Sequence, residues 1–387
     1  MKNENLRKNN FFVDSCKILK FKDCIIKLNT GLNPRNNFSL GKGTIKYITA
    51  KNLNKSGSID FSKCDFIDEK AKNIIHKRSD IQTGDILFSS RAPVGHCHLI
   101  QDEPNYYDIG ESIFSIRVND KIILPEYMCL YLASDYFIKL ASKNITGSVI
   151  QEIRIANLMN MDIIVPKKDV QRKISKVIMN INKKIENNNQ INNNLEEFAF
   201  TIFLHDFSNK APNGEIGDII IEKPKSNIKV GEAKEIKGSY PFFTSGDSIF
   251  EWNDYAVDGR NLFLNTGGNA DVKFYVGKAM YSTDTWCIST DYNLSDYLYL
   301  YFKSIKNELD RKFFHGSGLK HLQKQLLKQE KLYIPSDEEL KEFNKQVQAM
   351  FDTIAKNKIE NNKLTDLRNF LLPLLMNGQI NVDDIEI

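Results

Sequence analysis

From Asp169 to Phe207 the chain carries a heptad pattern that returns without a gap 169 residues later, and this repetition narrows its possible folds more sharply than any local motif. In the first copy Ile174, Ile178, Ile181, Ile185, Asn188, Asn192, Leu195, Ala199 and Ile202 advance by four and three alternately, the step of a coiled-coil seam. In the second copy Phe343, Val347, Met350, Ile354, Asn357, Asn361, Leu364, Arg368 and Leu371 hold the same phase. Both seams give up apolar side chains at the same two steps, Asn188 with Asn192 and Asn357 with Asn361. A buried Asn in such a seam costs stability and fixes register. The shared phase also argues against a low-complexity reading of the run from Asn187 to Asn194.

Punctuation frames both helices. Pro166 and Pro335 close the preceding apolar runs, and Ser336 with Glu339 makes a capping box. At about 1.5 Å per residue each helix would span on the order of 55 Å. An apolar stripe of that length has to be covered, and the nearest matching stripe is the other copy. The first helix leads out of one globular segment into another, and the second helix starts where that other segment ends. To lie along the first it must run backwards. The expectation is an antiparallel pair with a globular segment at each end and the Asn layers, near Asn188 and Asn357, facing one another.

The globular segments repeat as well. Leu124, Tyr127, Leu130, Tyr131 and Ser134 match Leu294, Tyr297, Leu300, Tyr301 and Ser304 at an offset of 170. Gly147, Ser148, Ile150, Ile153, Leu158, Ile163 and Pro166 match Gly316, Ser317, Leu319, Leu322, Leu327, Leu332 and Pro335 at 169. The chain is a tandem duplication. Within each copy the order is strand, polar loop, strand and helix. In the first copy the strand at Ile86, Leu87 and Phe88 is followed by a loop with Ser89, Ser90 and Arg91, and Leu124 to Leu140 has helical spacing. In the second, a strand from Asn261 to Leu264 leads through Asn265, Thr266, Gly267, Gly268 and Asn269 to a strand from Val272 to Val276, and a helix follows from Leu294. The fold class is α+β: two α/β domains related by internal duplication, separated by two long antiparallel coiled-coil helices.

Composition bounds the function loosely. The 387 residues allow two or three domains with real cores, and a net charge of +4 permits a nucleic-acid partner without demanding one. No run approaches the ~18 apolar residues of a membrane span, and Met1 to Asn10 is polar rather than a signal peptide, so a cytoplasmic protein is expected. The six cysteines form no CxxC pair and read as reduced, buried thiols. His96, Cys97 and His98 alternate across a strand, so no metal site is expected.

Catalytic motifs are missing. With ten prolines and no two adjacent, the chain lacks the Asp/Asn-Pro-Pro-aromatic loop of adenine and cytosine amino-methyltransferases. Gly41, Lys42, Gly43 and Thr44 lack the spacing of a phosphate-binding loop, and no Gly-x-Gly-x-x-Gly, His-Glu-x-x-His or Gly-x-Ser-x-Gly occurs. Acidic pairs such as Glu196 with Glu197 or Asp383 with Asp384 read as solvated charge.

Specific residues carry a family resemblance. Leu371 to Ile380 (LLPLLMNGQI) is similar to the closing Leu-Leu-x-x-Leu-Met-x-Gly-x-Ile of the specificity subunits of type I restriction-modification enzymes. Tyr240 to Ser245 resembles that family's strand entering the second recognition domain, Gly84 to Leu87 its Gly-Asp-Ile-Leu strand, and Gly147 and Gly316 its glycine before each domain's last apolar segment. The first helix departs from the pattern by ending in Phe203, Leu204, His205, Asp206 and Phe207. The resemblance implies target recognition domains at 12–166 and 211–335 and spacer helices at 167–207 and 336–380. It implies a non-catalytic DNA-specificity subunit reading a split double-stranded target. The helices would set the gap and bind two modification subunits; restriction subunits are further possible partners. S-adenosylmethionine, and ATP with Mg, would be held by those partners and not by this chain. A spacer of about 55 Å corresponds to roughly 16 base pairs at 3.4 Å each.

Base readout favours Arg, Lys, Asn, Gln and Ser on loops. The candidates are Ser89, Ser90 and Arg91 with Gln151 and Arg154 in the first domain, and Asn265, Thr266 and Asn269 with Lys320, His321 and Lys324 in the second; Lys51 and Asn52 are weaker ones. The alternative is a coiled-coil scaffold that binds protein partners without sequence-specific DNA recognition.

Overall fold

The computed structural model describes residues 16–142, 152–291, 293–316, 318–377, 379–380 and 382. It divides into two compact units, one built from residues up to 185 together with those from 363 onward, the other from 186–362.

In the first unit a four-stranded antiparallel sheet runs in the order Ile25–Thr30, Ile113–Val118, Ile86–Ser89, Cys97–Leu99. A three-stranded sheet places Ile45–Ile48 between Asp65–Ile67 and Tyr107–Ile109, the last pair being parallel. Cys16–Lys20 pairs with Asp162–Pro166, so the apolar run before Pro166 is a strand. The second unit follows the same plan. Its four-stranded sheet is Ile220–Glu222, Thr285–Thr290, Arg260–Asn265, Val272–Val276, and its three-stranded sheet sets Tyr240–Phe243 between Ile249–Trp252 and a parallel Met280–Tyr281. Gly214–Glu215 pairs with Lys331–Leu332. The registers correspond as well, since Ile86 faces Ile116 as Leu262 faces Ile288. The sequence repeat is therefore a repeat of strand order and direction.

The expected helix over 124–140 is two helices, Pro125–Ala133 and Asp135–Ser142. Ser134 between them is extended, and its hydroxyl donates to Tyr131 O at 2.6 Å and accepts from Phe137 N at 3.2 Å. A serine that satisfies the free ends of two short helices competes with one continuous helix. In the second copy the helix Ser295–Ser304 likewise gives way to Lys306–Phe313.

The heptad repeats form Lys168–Phe207 and Asp337–Met376, each 40 residues long. In the first unit Ile174, Val177 and Ile178 bury into the domain core together with Leu375 and Met376, and Arg368 Nη1 meets Asn182 Oδ1 at 3.2 Å. In the second unit Ala199, Phe203 and Phe207 share a core with Phe343, Val347, Phe351 and Ile354. Each buried side chain of that size contributes about 1.5–3 kcal/mol. There Asn188 Nδ2 donates to Asn361 Oδ1 at 2.9 Å and Asn357 Nδ2 to Asn192 Oδ1 at 2.8 Å, so the helices run antiparallel. The Asn layers meet by crossing over, Asn188 to Asn361 and Asn357 to Asn192. The 169-residue repeat carries Asn188 onto Asn357 and Asn192 onto Asn361, so it converts one of these bonds into the other, donor to donor.

Candidate nucleic-acid interface

The candidate loops lie at the ends of the central sheet strands. In the first domain Ile86–Ser89 delivers Ser89, whose buried hydroxyl donates to Pro93 O at 2.5 Å and accepts from His96 N at 2.8 Å. Ser90, also buried, donates through Oγ to Ser112 O at 3.0 Å. These hydroxyls shape the loop from within. Ser112 Oγ in turn accepts from Ala50 N at 3.0 Å, which brings in the turn Ala50–Asn52. Asn52 is buried and caps that turn by accepting from Thr49 N at 2.8 Å, while Lys51 beside it is exposed.

Arg91 extends from the same loop between two carboxylates. Its Nη1 is 2.7 Å from Glu111 Oε1 and its Nε 3.2 Å from Glu152 Oε2. The Glu111 hydrogen bond, with Glu152 adding to it, holds the guanidinium more firmly protonated than usual. Burial pushes the Glu111 carboxyl up, but Asn33 and Arg91 together outweigh it and leave it below the usual carboxylate range. Arg91 also forms an antiparallel bridge with Glu152, and Ile153 N donates to Ser90 O at 2.9 Å. Arg154 follows, exposed, at the N-cap of Ile155–Met159. Lys51, Asn52, Ser89, Ser90, Arg91 and Arg154, which the sequence leaves in three separate places, thus belong to one cluster. Gln151 lies outside the described residues, as do Gly147, Ser148, Ile150, Ser317 and Gly378.

The second domain builds the same joint. Leu322 N donates to Thr266 O at 3.1 Å, the counterpart of Ile153 to Ser90, and Gly267 bridges His321 as Arg91 bridges Glu152. Asn265 is buried and consumed by its own loop: Nδ2 donates to Gly267 O at 3.0 Å and to Asn269 O, and Oδ1 accepts from Asp271 N at 2.7 Å. Thr266 Oγ1 donates to Asp284 O at 2.8 Å. Lys320 pairs with Asp310 at 2.7 Å, and Asn269 and His321 are exposed. The Lys324 ammonium stands 4.9 Å from the centre of the Trp286 ring, where burial lowers its pKa. Gly316 is held at φ 153°, and a Cβ there would fall 2.4 Å from Leu319 O, so the turn into this segment accepts only glycine.

Sequence reading missed the acidic half of both clusters. Glu111, Glu152 and Asp310 decide which basic side chains are already engaged, and nothing in their spacing marks them.

The repeated topology agrees with the comparisons. The family model for the type I restriction modification DNA specificity domain matches the chain twice, at residues 17–197 and 209–369. The chain belongs to that family and carries its domain in two copies. The type I restriction enzyme HindI specificity subunit of Haemophilus influenzae is 23% identical over 78% of this chain and 87% of that protein. The MjaIX specificity subunit of Methanocaldococcus jannaschii is 23% identical over 89% of this chain and 88% of its own. The crystal structure of a type I restriction-modification S subunit from M. genitalium shares the fold with a TM-score of 0.61, at 15% identity over 96% of this chain and 97% of the other.

Proposed function

We propose that this chain is the DNA specificity subunit of a type I restriction-modification complex, non-catalytic itself, with each repeat reading one half of a bipartite target. The observation that carries this reading is that a family model for a DNA specificity domain fits twice, on two units whose strand-end loops are built alike. Within the clusters, Lys51, Arg154, Asn269 and His321 are the exposed side chains offered to phosphate or base, while Asn52, Ser89, Ser90 and Asn265 set the loop shape that presents them.

The helices serve as spacer and as the seat of two modification subunits. Phe198 and Leu367 occupy equivalent positions of the 169-residue repeat and are 57% and 45% exposed, an apolar contact matched on the two helices, beside the unmatched Ile191, Leu204, Ile359 and Phe370. S-adenosylmethionine, and ATP with Mg, would be handled by those subunits. Among the described residues no helix is long and apolar enough to cross a membrane, in keeping with a cytoplasmic assembly.

The test is to co-express the chain with its modification subunits and map modified bases across a genome. A single split motif with a fixed gap is expected. A complex that forms yet modifies DNA without sequence dependence supports the scaffold reading instead.

A further inference from the structure

We infer that Arg260 is a positioning residue: it clamps the second recognition domain to the second long helix and so fixes the gap at which the second half-site is read. This rests on the specificity-subunit reading. Arg260 opens the strand Arg260–Asn265, whose other end is the loop carrying Thr266 and Asn269. A clamp at one end of that strand orients the loop at the other, about 20 Å away at ~3.3 Å per residue.

Two helices converge on the guanidinium, which is 16% exposed. Nη1 lies 2.8 Å from Asp296 Oδ1, in the first turn of Ser295–Ser304. Nη2 pairs with Asp352 and donates to Gln348 O at 3.4 Å, both on the second long helix. Asp296 is fully buried, and its second oxygen has no partner among the described residues. Burial pushes this carboxyl up to about 6 against the pull of Arg260, so the clamp is held at the cost of desolvating an acid. A buried ion pair is weak evidence of stability; what this one supplies is a tie between separate elements.

The repeat sharpens the point, because the first domain lacks this device. By strand register Gly84 stands where Arg260 does, and by the sequence repeat Glu126 and Lys183 stand where Asp296 and Asp352 do. There the buried Gln171 of the first long helix makes neutral bonds instead, accepting from Leu124 N at 2.7 Å and donating to Pro166 O at 2.8 Å. Both recognition domains have an amide bond near the helix start, the second through Asn344 Nδ2 to Asn293 O at 3.1 Å. The second alone adds an ionic hold, well along the helix.

Asp352→Ala removes the half-exposed arm of the clamp on a surface helix position and leaves the buried Asp296 pair in place, so the domain folds. The complex with modification subunits is assayed for binding to its mapped target, to targets with the gap one base pair longer or shorter, and to each half-site alone. The wild type is expected to favour the native gap by about tenfold, and the variant by threefold or less, with half-site binding unchanged. A wild type indifferent to the gap contradicts the specificity-subunit reading itself. A gap-selective wild type whose variant keeps full selectivity overturns the clamp, and so does a variant that loses the second half-site outright.

Discussion

Arg91 shows how far a residue's role is set by neighbours remote in sequence. Its type and loop position mark it as a base reader, yet Glu111 and Glu152 already hold it, and these lie 20 and 61 positions away. If it exchanges one carboxylate for a base edge on binding, Arg91→Ala weakens the first half-site alone by about 1–3 kcal/mol. Titration of half-site duplexes checks this, and an equal loss at both halves would mark a folding defect. Asn265 carries the same lesson. Its amide type was legible as a DNA-reading candidate, but its burial and three loop bonds depend on how the chain closes around it, which no local pattern records. Residue type and loop position thus mark candidates, whereas their division into exposed groups and loop-holding groups is not written in the sequence.

At the scale of elements, what was legible is what physics makes periodic or punctuated. The heptad phase marks both long helices, and the capping box at the second is present: Ser336 N donates to Glu339 Oε2 at 2.9 Å and Glu339 N to Ser336 Oγ at 3.4 Å. The helix over 124–140 was overread because Ser134 caps as readily as it continues. Tyr333, which donates to Glu339 at 2.7 Å, with Ser336 and Lys210, holds the Glu339 carboxyl down at about 2, below its ordinary 4.5. A depressed carboxylate stabilises the fold above the unfolded value, and that contribution is lost as pH falls from 4.5 towards 2. Wild-type melting temperature should therefore drop over that window by more than that of Glu339→Gln; parallel curves would contradict the assignment. The Asn layer makes a second prediction. Asn188→Leu with Asn357→Leu removes both donors of the repeated pair, so helicity by circular dichroism persists while the register loosens and targets with altered gaps are modified. A more stable protein with unchanged target spacing would show that the layer does not fix register.

For the whole molecule, the duplication was readable because one offset holds across apolar, Gly and Pro positions that the fold uses twice. What it could not reveal is that loops far apart in each copy are sewn into one joint, Ile153 to Ser90 and Leu322 to Thr266, since backbone bonds of that kind leave no residue signature. On the proposed reading, helix length is read out as distance along DNA. Inserting one heptad into each long helix adds about 10 Å, or roughly three base pairs. Sequencing the modified bases produced by the complex bearing this chain should then reveal the same two half-sites with the gap longer by about three base pairs. The same half-sites at the original gap would show that helix length does not set the spacing.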